Sequence, residues 1–295
     1  MITTLFTCSY IKDLDRAVWM RRSVRRFLGA RCEHVMAVPK QDLPAFREKL
    51  GDDPDLRLVT QNEAVASFFY PDQFYRLILA AAPSQTWRFD SHAGRPGWII
   101  QQIAKLNSTR WISDGAVVYV DSDVIFTRPF GPEDFGIGDD VRSLIRITPK
   151  DEASRHRDHL ARARRILGLP PGSTEHHYLS NPAVWYADWI RALQKHLTKT
   201  SGRDWQRVLF EANHLSEFTI YGTFVEEVLR PVKLNIIDKP LHSGAWEKAA
   251  LDELRLSFSD PSSTFKPGLA MVIQSNIGIP VQQYEDILQA IVGKQ

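Results

Sequence analysis

Residues 116–126 read Ala116-Val117-Val118-Tyr119-Val120-Asp121-Ser122-Asp123-Val124-Ile125-Phe126. The unbroken apolar, β-branched run over 116–120 suits a strand buried on both faces, as in a parallel sheet covered by helices. Two aspartates one residue apart follow at once, so both carboxylates can approach one ligand at the strand's end. A hard divalent cation takes such oxygens and leaves positions for diphosphate oxygens and water. The bland alternative for such a pair is a solvated turn or a cap for the next segment.

Working outward from this strand, the N-terminal side alternates strand and helix. Residues 2–9 are β-favouring, and Leu14, Ala17, Val18, Val24, Phe27 and Leu28 carry a helical spacing. Strand signals at 34–38 and 56–60 flank a short helix at 43–50, and a further helix at 98–108 precedes the aspartates. This alternation predicts an α/β fold: a mostly parallel sheet with helices on both faces and ligands outside the carboxyl ends of its strands. Beyond Pro149 the spacing predicts helices over 152–167, 188–197, 204–212 and 216–229, with a loop at Pro170-Pro171-Gly172. Segments 232–237, 240–246 and 269–274 are expected to return to the sheet. One domain is expected, its ligand-binding half over 1–149 and a more helical half over 150–295, without internal repeat.

Composition narrows the class. In 295 residues, 43% apolar and 24% charged content is that of an ordinary folded chain, and 37 Lys and Arg against 35 Asp and Glu leave only +2. That balance lacks the positive field of a nucleic-acid binder, so no nucleic-acid partner is expected. No apolar run approaches the roughly 18 residues of a membrane span, and Met1 to Tyr10 lacks the marks of a secretion signal, which points to the cytoplasm. Cys8 and Cys32 alone make no disulfide framework and are expected as buried thiols.

The segment Gly97-Trp98-Ile99-Ile100-Gln101-Gln102-Ile103-Ala104-Lys105-Leu106, followed by VVYVDSDVIFTRPF, resembles the GT-A-fold nucleotide-sugar glycosyltransferases of the glycogenin and bacterial lipopolysaccharide sugar transferase group. There a helix bearing a Lys-Leu pair precedes a strand ending in Asp-x-Asp. The Gln-Gln-x-x-Lys-Leu pattern is also similar to that of an uncharacterised bacterial family. Lys239-Pro240-Leu241-His242-Ser243-Gly244-Ala245-Trp246 resembles the C-terminal histidine loop of those enzymes.

The resemblance implies a GT-A (Rossmann-like) sheet with a helical acceptor-side insertion, and roles for particular residues. Asp121 would face the ribose and metal, Asp123 would bind the metal, and His242 would be its third protein ligand. Two carboxylates and an imidazole imply Mn²⁺, or Mg²⁺, beside a UDP-sugar donor. Lys105 would approach the donor's phosphates, and Thr7, at the end of the N-terminal strand, would contact the donor. Tyr178 to Trp185 is similar to the loop and strand placed against the donor sugar, with Asn181 in a departed Asn-Pro pattern. Trp246 would offer a flat face to the sugar, while Trp185, Trp189 and Trp205 read as core.

Glu217, in Leu215-Ser216-Glu217-Phe218-Thr219-Ile220-Tyr221-Gly222, stands where inverting members carry a general base. Its structural alternative is a first-turn acid behind a Ser216 N-cap. The acceptor implied is a glycan or lipid-linked precursor. Arginines clustered over 155–165 and 16–26 read as solvated faces, or as a peripheral contact with anionic lipid at the inner face of the membrane. Two rival readings stand beside this one. A haloacid-dehalogenase-type phosphatase would use Asp121 and Asp123 as nucleophile and acid, but normally on the first strand. A non-enzymatic binder of anionic surfaces or nucleic acid would need a basic balance that the chain lacks.

Overall fold

In the computed structural model, which describes residues 2–65, 96–148, 154–172, 176–212, 215–259 and 268–293, β1 (Ile2–Cys8) is the middle of a five-stranded sheet. The chain leaves it through α1 (Leu14–Phe27) to β2 (Glu33–Val38), then through α2 (Leu43–Leu50) to β3 (Leu56–Thr60), each strand parallel to the last. After the short α3 (Gln61–Ala64) it re-enters the described structure in α4 (Pro96–Leu106), which leads to β4 (Ala116–Tyr119) on the other side of β1, again parallel. The sheet order is therefore β3-β2-β1-β4, closed by a later antiparallel edge strand. Strand order reverses between β1 and β4, and in open α/β sheets the crevice beyond the carboxyl ends of such a pair is where ligands bind. All four β4 residues are buried, as expected for a strand covered on both faces.

The aspartates lead into β5 (Val124–Phe126), which belongs to a second, three-stranded sheet. Next come β6 (Arg142–Ile145), α5 (Ser154–Ile166) and β7 (Ala183–Tyr186), the antiparallel edge of the main sheet. Helices α6 (Ala187–Ser201), α7 (Trp205–Glu211) and α8 (Glu217–Thr223) follow, the last running into a π-helical turn, Phe224–Leu229. The end of the chain gives β8 (Leu234–Ile237), β9 (His242–Ala245), α9 (Lys248–Ser259), β10 (Ala270–Ile273) and α10 (Glu285–Val292).

Two expectations are corrected here. The C-terminal strands do not rejoin the main sheet: β10 pairs with β5 on one side and β9 on the other, and β8 pairs with β6, a strand the sequence reading passed over. The arginine clusters are also not simply solvated. Arg21 forms a buried ion pair with Asp53, Arg16 pairs with Asp13, Arg22 lies 4.7 Å over the Trp19 ring, and Arg164 binds Glu227. Pro149 and Glu152, the expected boundary and helix start, lie outside the described residues. Among the described residues no helix is long and apolar enough to cross a membrane.

Candidate active site at the strand-order reversal

The Val120 N–H still donates to the Phe6 carbonyl at 3.0 Å, so Asp121 is the first residue beyond the main-sheet ladder. Its own N–H donates to Asn181 Oδ1 at 3.0 Å. Asp123 belongs to the second sheet: its carbonyl accepts from Ile273 N–H at 3.0 Å, and its Oδ2 accepts from Ser275 N–H at 3.0 Å. The pair thus spans the join between two sheets, Asp121 following the main-sheet strand and Asp123 leading into the second sheet. Burial and then the charge of Asp121 push the Asp123 carboxyl up to about 7, against the pull of the Ser275 N–H.

Lys105 comes to the same place from α4, whose apolar face packs inward at Ile99, Ile103 and Leu106. The ammonium is 5% exposed, lies 4.9 Å over the Phe218 ring, and reaches Asp121 Oδ1 at 2.8 Å and Glu217 Oε1 at 2.9 Å. Burial alone would pull its pKa down; the charges of Asp121 and Glu217 outweigh that and hold it above the ordinary lysine value. The ammonium, expected at the donor's phosphates, is therefore occupied by two carboxylates. Glu217 starts α8 behind the Ser216 cap, whose hydroxyl accepts from Thr219 N–H at 3.3 Å. Glu217 is buried, at 5% exposure, and its carboxylate is engaged by the Lys105 ammonium.

Three further expected contacts are placed differently. The Thr7 hydroxyl is fully buried, donating to the Val120 carbonyl at 2.7 Å and bonded to His34 Nε2 at 2.9 Å, so it stitches strands together and does not face a ligand. Asn181 braces two loops: besides accepting from Asp121, it donates its N–H to His242 Nδ1 at 3.3 Å. Along the three-stranded sheet His242 is offset from Asp123 by register, since it is level with Ala270 and Phe126, whereas Ala245 is level with Ile273, which bonds Asp123; Asn181 links His242 to Asp121. Three residues along and two strands across is roughly 14 Å between α-carbons at ordinary sheet spacings. Burial lowers the His242 pKa, which favours the neutral ring, and its Nδ1 accepts the Asn181 N–H. Among the described residues no three His, Cys, Asp or Glu side chains are grouped to hold a metal. Trp246 stands beside His242, ring centres 5.4 Å apart, with 54% of its surface exposed; Trp185 and Trp189 are buried.

The carboxylate pair nonetheless suits a hydrated divalent cation, the kind usually held by one or two carboxylates with phosphates and water completing its shell. Among the described residues, Asp121 and Asp123 each have one oxygen engaged and one left. With Glu217 they set three carboxylates against one ammonium, a formal −2 when all are ionised. The nitrogen ligand that favoured manganese over magnesium is not part of this set.

Sequence reasoning passed over Asp13 and Tyr284. Asp13, just beyond β1 and buried, binds Arg16 at 2.9 Å, Tyr284 bonds the same arginine, and their charges bear on Asp123. The Asp-x-x-Arg spacing directly after a strand at the reversal was the available signal. Several buried polar atoms here have no hydrogen-bond partner among the described residues: the Ser9 hydroxyl, Arg16 Nε and both ends of the Gln102 amide. Such atoms are rare in native interiors and suit a polar ligand. A separate cavity of about 560 Å³, lined by Arg128, Glu133, Lys239 and Leu269 among others, opens at the far end of the three-stranded sheet from Asp123.

No curated protein matches the chain. Among solved structures, that of mouse xyloside xylosyltransferase 1 in its apo form is similar, with a TM-score of 0.51 and 9% identity, covering 95% of this chain and 100% of that one. At such identity the likeness speaks for the fold, and the α/β GT-A architecture expected from the sequence is the one observed. One family model matches residues 2–293, nearly the whole length, and the chain belongs to that family of unknown function, DUF6492.

Proposed function

We propose that this protein is a glycosyltransferase that moves a sugar from a nucleoside diphosphate sugar, a UDP-sugar in the first instance, to a hydroxyl of a glycan or lipid-linked acceptor with the help of a divalent cation. The observation that carries this reading is the pair Asp121 and Asp123 at the strand-order reversal, each with an oxygen left free among the described residues and together short of positive charge. The shared fold with a xylosyltransferase supports the same class.

In the reaction the bond between the anomeric carbon and the diphosphate oxygen breaks, its electron pair leaving with the diphosphate. The acceptor oxygen bonds to the anomeric carbon and gives up its proton. A bound Mn²⁺ or Mg²⁺ would supply neutralisation of the charge gathering on the leaving group. Asp121 and Asp123 would hold that ion from two sheets at once, so the distance between them is set by the fold. The exposed face of Trp246 offers a platform for a sugar ring.

Calorimetry and thermal shift with nucleoside diphosphates and their sugars, with and without Mn²⁺ or Mg²⁺, test the reading. Wild-type protein should be stabilised by a nucleoside diphosphate only when cation is present. Asp123→Asn keeps an oxygen for the Ser275 N–H and should fold as well as wild type while losing the cation-dependent binding. Absence of nucleotide binding by wild-type protein at any cation concentration would overturn the proposal.

A further inference from the structure

We infer that Glu217 is a positioning residue: acting through Lys105, it fixes which oxygen of Asp121 is left for the cation, and it takes no proton from the acceptor. This rests on the cation-site reading above. The Ser216 cap sets Glu217 in the first turn of α8, and α8 packs against α4, which carries Lys105. The ammonium is hemmed in by the Phe218 ring and divides its charge between Glu217 Oε1 and Asp121 Oδ1. The Glu217 and Lys105 side chains are 7% and 6% exposed, whereas that of Asp121 is 34% exposed. The relay therefore runs from the interior outward, from buried Glu217 to the more exposed carboxylate of Asp121.

Sharing is the essential property. With Glu217 ionised, Lys105 anchors Asp121 Oδ1 without cancelling the charge of its carboxylate. If Glu217 loses its charge, the ammonium falls wholly to Asp121, and a cation at Asp121 and Asp123 then meets one negative charge fewer with an uncompensated ammonium beside it. Outer groups that orient and tune a metal-binding carboxylate are worth about 10-fold to 100-fold in metal affinity.

The test is Mn²⁺ binding by the full chain in the presence of a nucleoside diphosphate, followed by the electron paramagnetic resonance of free Mn²⁺, together with melting temperature and single-turnover sugar transfer. Glu217→Gln retains an oxygen for the Lys105 ammonium and should weaken Mn²⁺ by about 10-fold to 100-fold. Glu217→Asp, charged but one methylene shorter, should fall between the two. It also carries the test should the glutamine variant not fold. A proton-acceptor role predicts instead unchanged Mn²⁺ affinity with transfer lowered by about 10²-fold to 10⁴-fold, and that result overturns the inference. Wild type that binds Mn²⁺ and variants that bind it equally sink the relay alone. Wild type that binds no Mn²⁺ with the nucleotide sinks the cation reading and the relay together.

Discussion

Lysine 105 offers three donors and meets two carboxylates within 3 Å, at a depth where an unpaired charge of either sign is costly. Replacing it by methionine leaves Glu217 buried without a counter-ion, and breaking such a pair from one side costs about 3 to 5 kcal/mol. Lys105→Met should therefore lower the urea midpoint sharply, and adding Glu217→Leu should recover part of the loss because the second charge goes too. Strict additivity of the two single effects would show that the pair contributes nothing jointly. The aspartates were readable from sequence because a buried apolar strand ran straight into them. The partnership of Lys105 with a residue 112 positions away was not, since local spacing carries no record of which helix packs on which. The place of His242 was hidden for a related reason. Its motif was in place, but strand register, which one sequence does not reveal, set it three positions from the level of Asp123.

Between residues and the molecule, α8 shows how an element is tied to its surroundings. Gly222 lies against Tyr178, and a Cβ added there would stand 2.2 Å from the tyrosine ring. The ring has little room to yield, because its hydroxyl donates to Glu226 Oε2 at 2.7 Å and Glu226 in turn binds Arg146 at 2.8 Å. Gly222→Ala gains helix propensity yet overpacks the contact, and should cost about 1 to 3 kcal/mol in urea unfolding. An unchanged midpoint would mean that Tyr178 turns aside freely. Elements with a period or a cap were legible: the alternation from β1 to β3, the buried β4, and the Ser216 start of α8. The π-helical turn over Phe224–Leu229 was not, because its residues continue a helical pattern. In the smaller sheets β8, β9 and β10 lay within segments read as strands, whereas β6, four residues long, was too short to stand out.

At the scale of the whole molecule, the parallel sheet is knitted by a buried polar chain that makes its stability depend on pH. Thr7 donates to the Val120 carbonyl, so its oxygen accepts from His34 Nε2–H, and His34 Nδ1 faces Arg21 NH1 at 3.4 Å. Arg21 grips Asp53 through two bonds of 2.8 Å. Every group is satisfied only while His34 is neutral, because a proton on Nδ1 would point at the guanidinium. Burial, and then the Arg21 charge, push the His34 pKa down to about 3 from an ordinary 6.5. Between those values the unfolded chain binds a proton that the folded chain refuses, so stability rises with pH across the window and falls on acidification through it. The full effect is on the order of a few kcal/mol. Asp53, held low by Arg21, loses its contribution in the same direction but only below its ordinary 3.8. Asp123, raised to about 7, opposes the histidine between pH 7 and pH 4.5, because there the folded chain binds a proton that the unfolded chain gives up, so the difference between wild type and a His34 variant, measured by urea unfolding over that range, isolates the histidine. His34→Gln keeps a donor for Thr7 without a titrating ring, and should lose less stability than wild type on acidification. Equal slopes in the two proteins would place the acid sensitivity elsewhere, with half-buried His242, whose pKa burial also lowers, the next group to replace.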